Sequence, residues 1–148
     1  MLEELLTKDT VLCQAKAANW EEVIRLGGQM MVKAGYVEPG FVDAMVSTVK
    51  EMGPYIVLAP HVAMPHARPE DGALQVGSAL VTLQQPVNFG NPDHDPVSVA
   101  VFLCAPNKEG HMTLLSELAE VLDDDDFVEA AKAFTSVDDV HQYLANRE

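Results

Sequence analysis

The sequence has few of the features that mark secreted, nucleic-acid-binding or membrane-spanning proteins. Its two cysteines, Cys13 and Cys104, lie far apart without a CxxC motif, so they indicate neither a disulfide framework nor a zinc knuckle. Nine Lys and Arg stand against 23 Asp and Glu, giving a formal charge of −14 that repels the phosphates of nucleic acids. No apolar run approaches the roughly 18 residues of a membrane span, and the N-terminus lacks the basic start of a signal peptide. We therefore expect a soluble, cytoplasmic protein that neither binds nucleic acid nor inserts into a membrane.

What the sequence does contain is enough apolar residues for one core, since 48% of its 148 residues are hydrophobic. Helical spacing predicts two helices before residue 55, the first capped by Asn19 and ending near Lys33. Segments 55–60, 73–85 and 96–106 predict strands, the last one buried on both faces. Helical patterns return at 111–122, 126–134 and 136–146, the last two with Asp126 and Ser136 as N-caps. This order indicates one α/β domain with helices on both faces of a central sheet.

The stretch "MPHARPE" makes His66 the first candidate for a reactive side chain. Pro65 restricts Met64 to extended geometry and fixes its own φ, so His66 leaves a stiff backbone at the start of a loop. Such stiffness holds a reactive atom in place with little entropy left to lose. The alternative is an ordinary hydrogen-bonded histidine with no chemical role.

His111 is the second candidate. It follows Gly110 at the predicted start of a helix, and its spacing to Leu115, Leu118 and Leu122 places it on the buried stripe. A protonated imidazole is disfavoured at the positive end of a helix, so we expect a neutral His111 that can donate an N–H. Together with the free amides of the first helical turn it would form a small anion pocket.

Arg68 and His61 complete the candidate set. Arg68 offers fixed charge and a forked set of donors to an oxyanion, or else it forms a surface pair with Glu70 or Asp71. We interpret His61 as a supporting or structural residue of the site.

The sequence gives weaker support for a functional role of His94 and His141, and for a metal site. We expect His94 and His141 to face solvent. His61, His66 and His111 could in principle supply three metal ligands, but the sequence has no HExxH motif and no carboxylate with an evident role. We therefore expect no metal and no other cofactor.

The candidate residues lie in motifs that resemble those of one known protein family. "GPYIVLAPHVAMPHARPEDGA" resembles the active-site signature of IIA components of the bacterial phosphoenolpyruvate-dependent sugar phosphotransferase system, in the mannitol/fructose superfamily. The elements "GPY", "LAP" and "MPHARPE" most resemble the ascorbate-type and cryptic-mannitol-type branch. The likeness continues through "ALVTLQQPVNFGN" and the late histidine before a helix. It implies a central mixed β-sheet flanked by helices, with residues 1–148 forming one type-2 IIA domain.

The resemblance also implies a function, that of a phosphotransferase component. His66 matches the histidine that accepts a phosphoryl group from the carrier HPr and passes it to a cysteine of a sugar-specific IIB protein, which serves a membrane IIC component. His111 matches the second histidine, which supports the group without carrying it, and Gly110 would let the backbone come close. Mannitol-type members have an arginine for which Lys50 or Arg68 would substitute here. His61 replaces a usually small residue.

Partners and alternatives follow from this reading. Val62, Ala63, Met64 and the prolines of the motif are expected to supply an apolar rim for docking partners, and the sequence leaves a homodimer open. A sugar such as L-ascorbate is the expected cargo of the system. The competing hypotheses are a regulatory IIA-like domain that acts as a phosphorylation switch, and a small histidine-coordinated metalloenzyme.

Overall fold

The computed structural model describes residues 2–147 as five strands, six α-helices and one 3-10 turn. The strands are β1 (Val11–Ala15), β2 (Val57–Ala59), β3 (Val62–Ala63), β4 (Gly77–Val87) and β5 (Val97–Cys104). The helices are α1 (Leu2–Leu5), α2 (Trp20–Lys33), α3 (Pro39–Met52), α4 (Lys108–Leu122), α5 (Phe127–Lys132) and α6 (Val137–Asn146), with the 3-10 turn at Pro69–Asp71. None of the helices in this range is both long and apolar enough to cross a membrane.

The strands form one mixed sheet in the order β1-β4-β5-β3-β2. β1 runs parallel to β4 and β3 runs parallel to β5, whereas β4 and β5 are antiparallel. All eight residues of the central strand β5 are buried, which confirms the prediction of a strand covered on both faces.

Two helical layers cover the sheet, as the sequence predicts. Ala100, Phe102 and Cys104 pack into one core with α2 and α3, while Val99 and Leu103 pack into a second core with α1, α4, α5 and α6. This alternation follows from the two-residue repeat of a strand.

Close contact between α2 and the sheet depends on Gly27. A Cβ atom at this position would lie 2.2 Å from the ring of Phe102, which is fully buried. The missing side chain therefore lets the helix approach the strand.

Several local details differ from the sequence-based expectations. The segment predicted as one strand at 55–60 contains only the short β2, and the expected loop after it contains β3, which pairs antiparallel with β2. His61 lies between them with a left-handed φ of 70°. β1 and α1 were not predicted.

The helix caps are partly as predicted. Asn19 accepts a hydrogen bond from the amide of Glu22 at 3.0 Å. Asp126 and Ser136 make no side-chain capping bond. Neighbouring carboxylates instead bond the backbone just ahead of these helices: Asp124 accepts from the amide of Asp126 at 3.0 Å, and Asp139 accepts from that of Thr135 at 2.8 Å.

Candidate active site

His66 lies just beyond β3, on a backbone tied to the sheet on both sides. The Met64 amide donates to the Ile56 carbonyl at 2.8 Å, and the Pro65 carbonyl accepts from Leu103 at 3.3 Å. Met64 and Pro65 are both buried, whereas His66 is half-buried. The imidazole therefore extends from a segment with little freedom to move.

One hydrogen bond defines the chemistry of the His66 ring. Its Nδ1 lies 2.8 Å from the Met64 carbonyl oxygen. A carbonyl oxygen can only accept, so Nδ1 carries the hydrogen and the neutral ring keeps its lone pair on Nε2. The pKa of His66 is lowered, mainly because burial disfavours the charged ring. The hydrogen bond to Met64 opposes this shift by raising the pKa, and nearby His111 adds to it by lowering the pKa. In its neutral form the ring therefore presents its lone pair on a defined nitrogen, Nε2.

His111 faces His66 from the first turns of α4. The helix begins at Lys108, three residues before the predicted start, because Asn107 accepts from the Gly110 amide at 2.7 Å and caps it. The two imidazole centroids are 6.0 Å apart, with the ring planes at 59°. The structure therefore brings the two candidate histidines together, with His111 half-buried rather than fully turned into the core.

Tyr55 is a third ring of the site that the sequence analysis did not assign. Its centroid lies 5.8 Å from that of His66 in an edge-on arrangement at 82°. Its position in the "GPY" segment was the only sequence signal. The phenol ring covers one side of the imidazole.

These rings line an open cleft of about 1030 Å³. Its walls are one face of α3 between Ala44 and Met52, residues 66–71, and residues 106–108 with His111. The cleft is wide enough to admit a side chain from another protein.

Arg68 and Lys50 are placed differently with respect to this cleft. Arg68 lines it, but Nε lies 3.4 Å from a Glu70 carboxylate oxygen and 3.5 Å from one of Asp71. Lys50 does not line the cleft, and its Nζ lies 3.3 Å from a Glu21 carboxylate oxygen. Of the two, only Arg68 lines the cleft that contains His66.

Gly110 and His61 have structural surroundings of their own. The Gly110 amide is already bonded to Asn107, and a Cβ on this glycine would lie 2.9 Å from Val76. His61 does not line the cleft, and its Nδ1 lies 2.7 Å from the carbonyl oxygen of Pro96. Close packing against Val76 accounts for a glycine at position 110. The contact with the Pro96 carbonyl gives His61 a structural role in the loop.

The remaining two histidines, His94 and His141, lie in partly buried surroundings. His141 does not simply face solvent, because its Nε2 lies 2.6 Å from the Leu6 carbonyl oxygen. His94 has a buried Nδ1 without a hydrogen-bond partner in the described part of the chain. Between residues 2 and 147, no group of three or more His, Cys, Asp or Glu side chains could hold a metal ion.

The apolar rim contains only part of the predicted set, because Pro69 lines the cleft but Pro65 is buried. Val62, Ala63 and Met64 are buried, because β3 lies inside the sheet beside β5. The exposed apolar side chains near His66 are instead Met52 and Tyr55, which line the cleft, and Met112, next to His111. Met52 is 71% exposed and Met112 53%.

Comparison with known proteins identifies a family for this chain. Residues 4–147 match the family described as "Phosphoenolpyruvate-dependent sugar phosphotransferase system, EIIA 2". The ascorbate-specific PTS system EIIA component of Escherichia coli strain K12 is 33% identical over 132 residues, which cover 88% of this chain and 86% of that protein.

Two solved structures from Escherichia coli are also similar. The mannitol-specific cryptic phosphotransferase enzyme IIA is 29% identical with a TM-score of 0.88, over 98% of both chains. The mannitol enzyme IIA, in complex with phosphorylated enzyme IIB, is 33% identical with a TM-score of 0.83, over 97% of this chain and 100% of that one. The chain therefore belongs to the EIIA type-2 family of the phosphoenolpyruvate-dependent sugar phosphotransferase system.

Proposed function

We propose that this protein is a phosphocarrier in which His66 Nε2 accepts a phosphoryl group from phosphorylated HPr and passes it to a cysteine of a sugar-specific IIB protein. The observation that carries the proposal is the bond between His66 Nδ1 and the Met64 carbonyl, which leaves Nε2 unprotonated beside an open cleft. Family membership supports it, since EIIA components transfer phosphoryl groups.

The first transfer is a displacement at phosphorus. The Nε2 lone pair of His66 forms a new N–P bond while the N–P bond of the HPr phosphohistidine breaks, and that electron pair returns to the HPr imidazole. Negative charge spreads over the three phosphoryl oxygens in the transition state. In the second transfer a thiolate of IIB attacks the same phosphorus, and the electron pair of the broken N–P bond returns to Nε2.

His111 is proposed to stabilise the phosphoryl group without carrying it. Its ring centroid lies 6.0 Å from that of His66, so an oxygen of a phosphoryl group on His66 would come within reach of the His111 ring. A ring N–H of His111 is a donor that is already in position before the phosphoryl group arrives, so little reorganisation is needed during the reaction. Transfer between two such carriers requires no metal, and we propose none.

Docking is proposed to use the exposed apolar surface of Met52, Tyr55 and Met112. Methionine side chains are flexible and adapt to different partners, so one surface can receive HPr and IIB in turn. The formal charge of −14 would attract a basic partner at long range and would do so less at high salt.

The proposed cargo and location follow the relatives. The ascorbate-specific component at 33% identity favours a sugar such as L-ascorbate, taken up through a IIC membrane component that the IIB protein serves. The proposal includes a cytoplasmic location for the chain and a single IIA domain formed by residues 1–148.

The test is incubation with phosphoenolpyruvate, enzyme I and HPr, followed by mass spectrometry under alkaline conditions. Wild type should gain one phosphoryl group and His66→Ala none, while His111→Ala should accept the group but pass it to IIB slowly. His61→Ala is the matched control and should behave as wild type, because this histidine lies outside the cleft. A phosphoryl group mapped to His61 or His111 would overturn the assignment.

A further inference from the structure

A phosphoryl group on His66 would add up to about two negative charges to a cleft that is already acidic. The carboxylates of Glu51, Glu70 and Asp71 line the cleft, against two cations, Arg68 and Lys108. The formal balance among these residues is 2 − 3 = −1 before any phosphoryl group arrives. Unless a cation is available, each transfer into the cleft has to work against this charge.

Arg68 is already occupied by the acidic side chains beside it. Its Nε lies within 3.4 and 3.5 Å of carboxylate oxygens of Glu70 and Asp71, and the Asp71 side chain also accepts from the Arg68 amide at 3.0 Å. These pairs partly offset the charge of the guanidinium beside the 3-10 turn.

Lys108 is different, because within residues 2–147 it forms no ion pair and no side-chain hydrogen bond. It is exposed and lines the cleft as the first residue of α4. Residues three apart lie on the same side of a helix, so Lys108 is a neighbour of His111, whose ring faces His66. A four-carbon stem gives its ammonium group the reach to follow a phosphoryl group.

The position of Lys108 is also unfavourable for the helix itself. The N-terminus of a helix carries partial positive charge, where a cation is disfavoured and an acidic residue is preferred. A lysine at the first position of α4 therefore makes the helix less stable than a neutral residue would. Local conflicts of this kind are expected at functional positions.

We propose that the Lys108 ammonium binds the phosphoryl oxygens on His66 and is the principal cation of the phosphorylated site. The proposal rests on the phosphocarrier function and identifies a residue for it. Lys108 touches the transferred group, while Arg68 remains paired with its acidic neighbours.

The experiment compares wild type with Lys108→Gln, Lys108→Arg and, as a matched control outside the cleft, Lys33→Gln. Each protein is phosphorylated by HPr, purified, and titrated by ³¹P NMR. A nearby cation favours the doubly ionised phosphoryl group, so its second ionisation should move to higher pH in Lys108→Gln and return in Lys108→Arg. Transfer to IIB and from HPr should slow about tenfold in Lys108→Gln, equal to about 1.4 kcal/mol, and stay unchanged in Lys33→Gln.

The outcomes separate the two proposals. If wild type takes up no phosphoryl group, the phosphocarrier function fails, and the role of Lys108 fails with it. If wild type is phosphorylated on His66 but Lys108→Gln shows an unchanged ³¹P titration, only the role of Lys108 is refuted. A purely structural role would lower the urea midpoint of Lys108→Gln, whereas we expect the midpoint to stay equal or rise, because removing the cation relieves the helix terminus.

Discussion

Removing the asparagine cap of α4 should separate helix stability from function, because the chain contains a second cap of the same kind. Asn107 accepts from the amide three residues later at 2.7 Å, and Asn19 does so at the start of α2 at 3.0 Å. Both residues have extended backbone angles. Asn107→Ala and Asn19→Ala therefore remove equivalent bonds at different places in the fold.

Each substitution should lower the free energy of unfolding by about 1 kcal/mol, the usual contribution of an asparagine N-cap. For a protein of this size the melting temperature should fall by about 2–4 °C. Urea titration and thermal melting followed by circular dichroism measure both quantities. Asn107→Ser keeps a capping oxygen and should recover most of the loss.

Only Asn107→Ala should slow phosphoryl transfer. The first turn of α4 holds His111, whose amide donates to the Asn107 carbonyl at 3.1 Å, so fraying of that turn displaces the ring. A loss of about 1 kcal/mol there can reduce the ordered population by up to about fivefold. If Asn19→Ala slows transfer equally, or if Asn107→Ala loses stability but transfers at the full rate, the link between this cap and the site is refuted.

The remaining predictions concern one titration, two glycines and two thiols. Burial lowers the pKa of His66 from its ordinary value of 6.5, so on acidification the unfolded chain binds a proton there first, and the free energy of unfolding should fall as pH drops through that value. His66→Gln should reduce this pH dependence in urea titrations; an equal dependence would contradict the argument. Gly27→Ala forces a methyl group against an aromatic ring and should lower the free energy of unfolding by about 1–3 kcal/mol. Gly40→Ala adds a methyl group where nothing lies within 4 Å, so it should raise the free energy of unfolding by up to about 1 kcal/mol. Similar urea midpoints for the two variants would show that Gly27 is not tightly packed. Burial raises the pKa of Cys104 to about 12, so a thiol reagent should label the half-buried Cys13 first, and rapid labelling of Cys13→Ser would refute the burial of Cys104.

The longer elements could be predicted because their sequence pattern reflects the core that they bury. The stripes of α2 and α3 and the continuous apolar run of β5 are local signals with a direct physical cause. β1 has no such signal. It is short, and Gln14 interrupts it with a left-handed φ of 57° while its side chain donates to the carbonyls of Lys132 and Phe134.

In the candidate site, too, some features could be predicted from local sequence and others could not. Residue types and a proline neighbour were enough to single out His66, and the start of a helix was enough to single out His111. The hydrogen on Nδ1 could not be predicted, because it depends on where the Met64 carbonyl points. The apolar rim could not be predicted from neighbours in sequence, since Met52 lines the cleft from α3 while Met112 follows His111 in α4.

The carbonyl that orients the His66 ring belongs to the same short segment of chain, two residues away, and that segment is fastened to the sheet. On the proposed role, the partner protein therefore does not determine which nitrogen reacts, and HPr and IIB both exchange the phosphoryl group with the same atom, Nε2. Forward and reverse exchange then follow one path, and the direction of flow depends on the relative group-transfer potentials of the two partners rather than on any rearrangement within this protein.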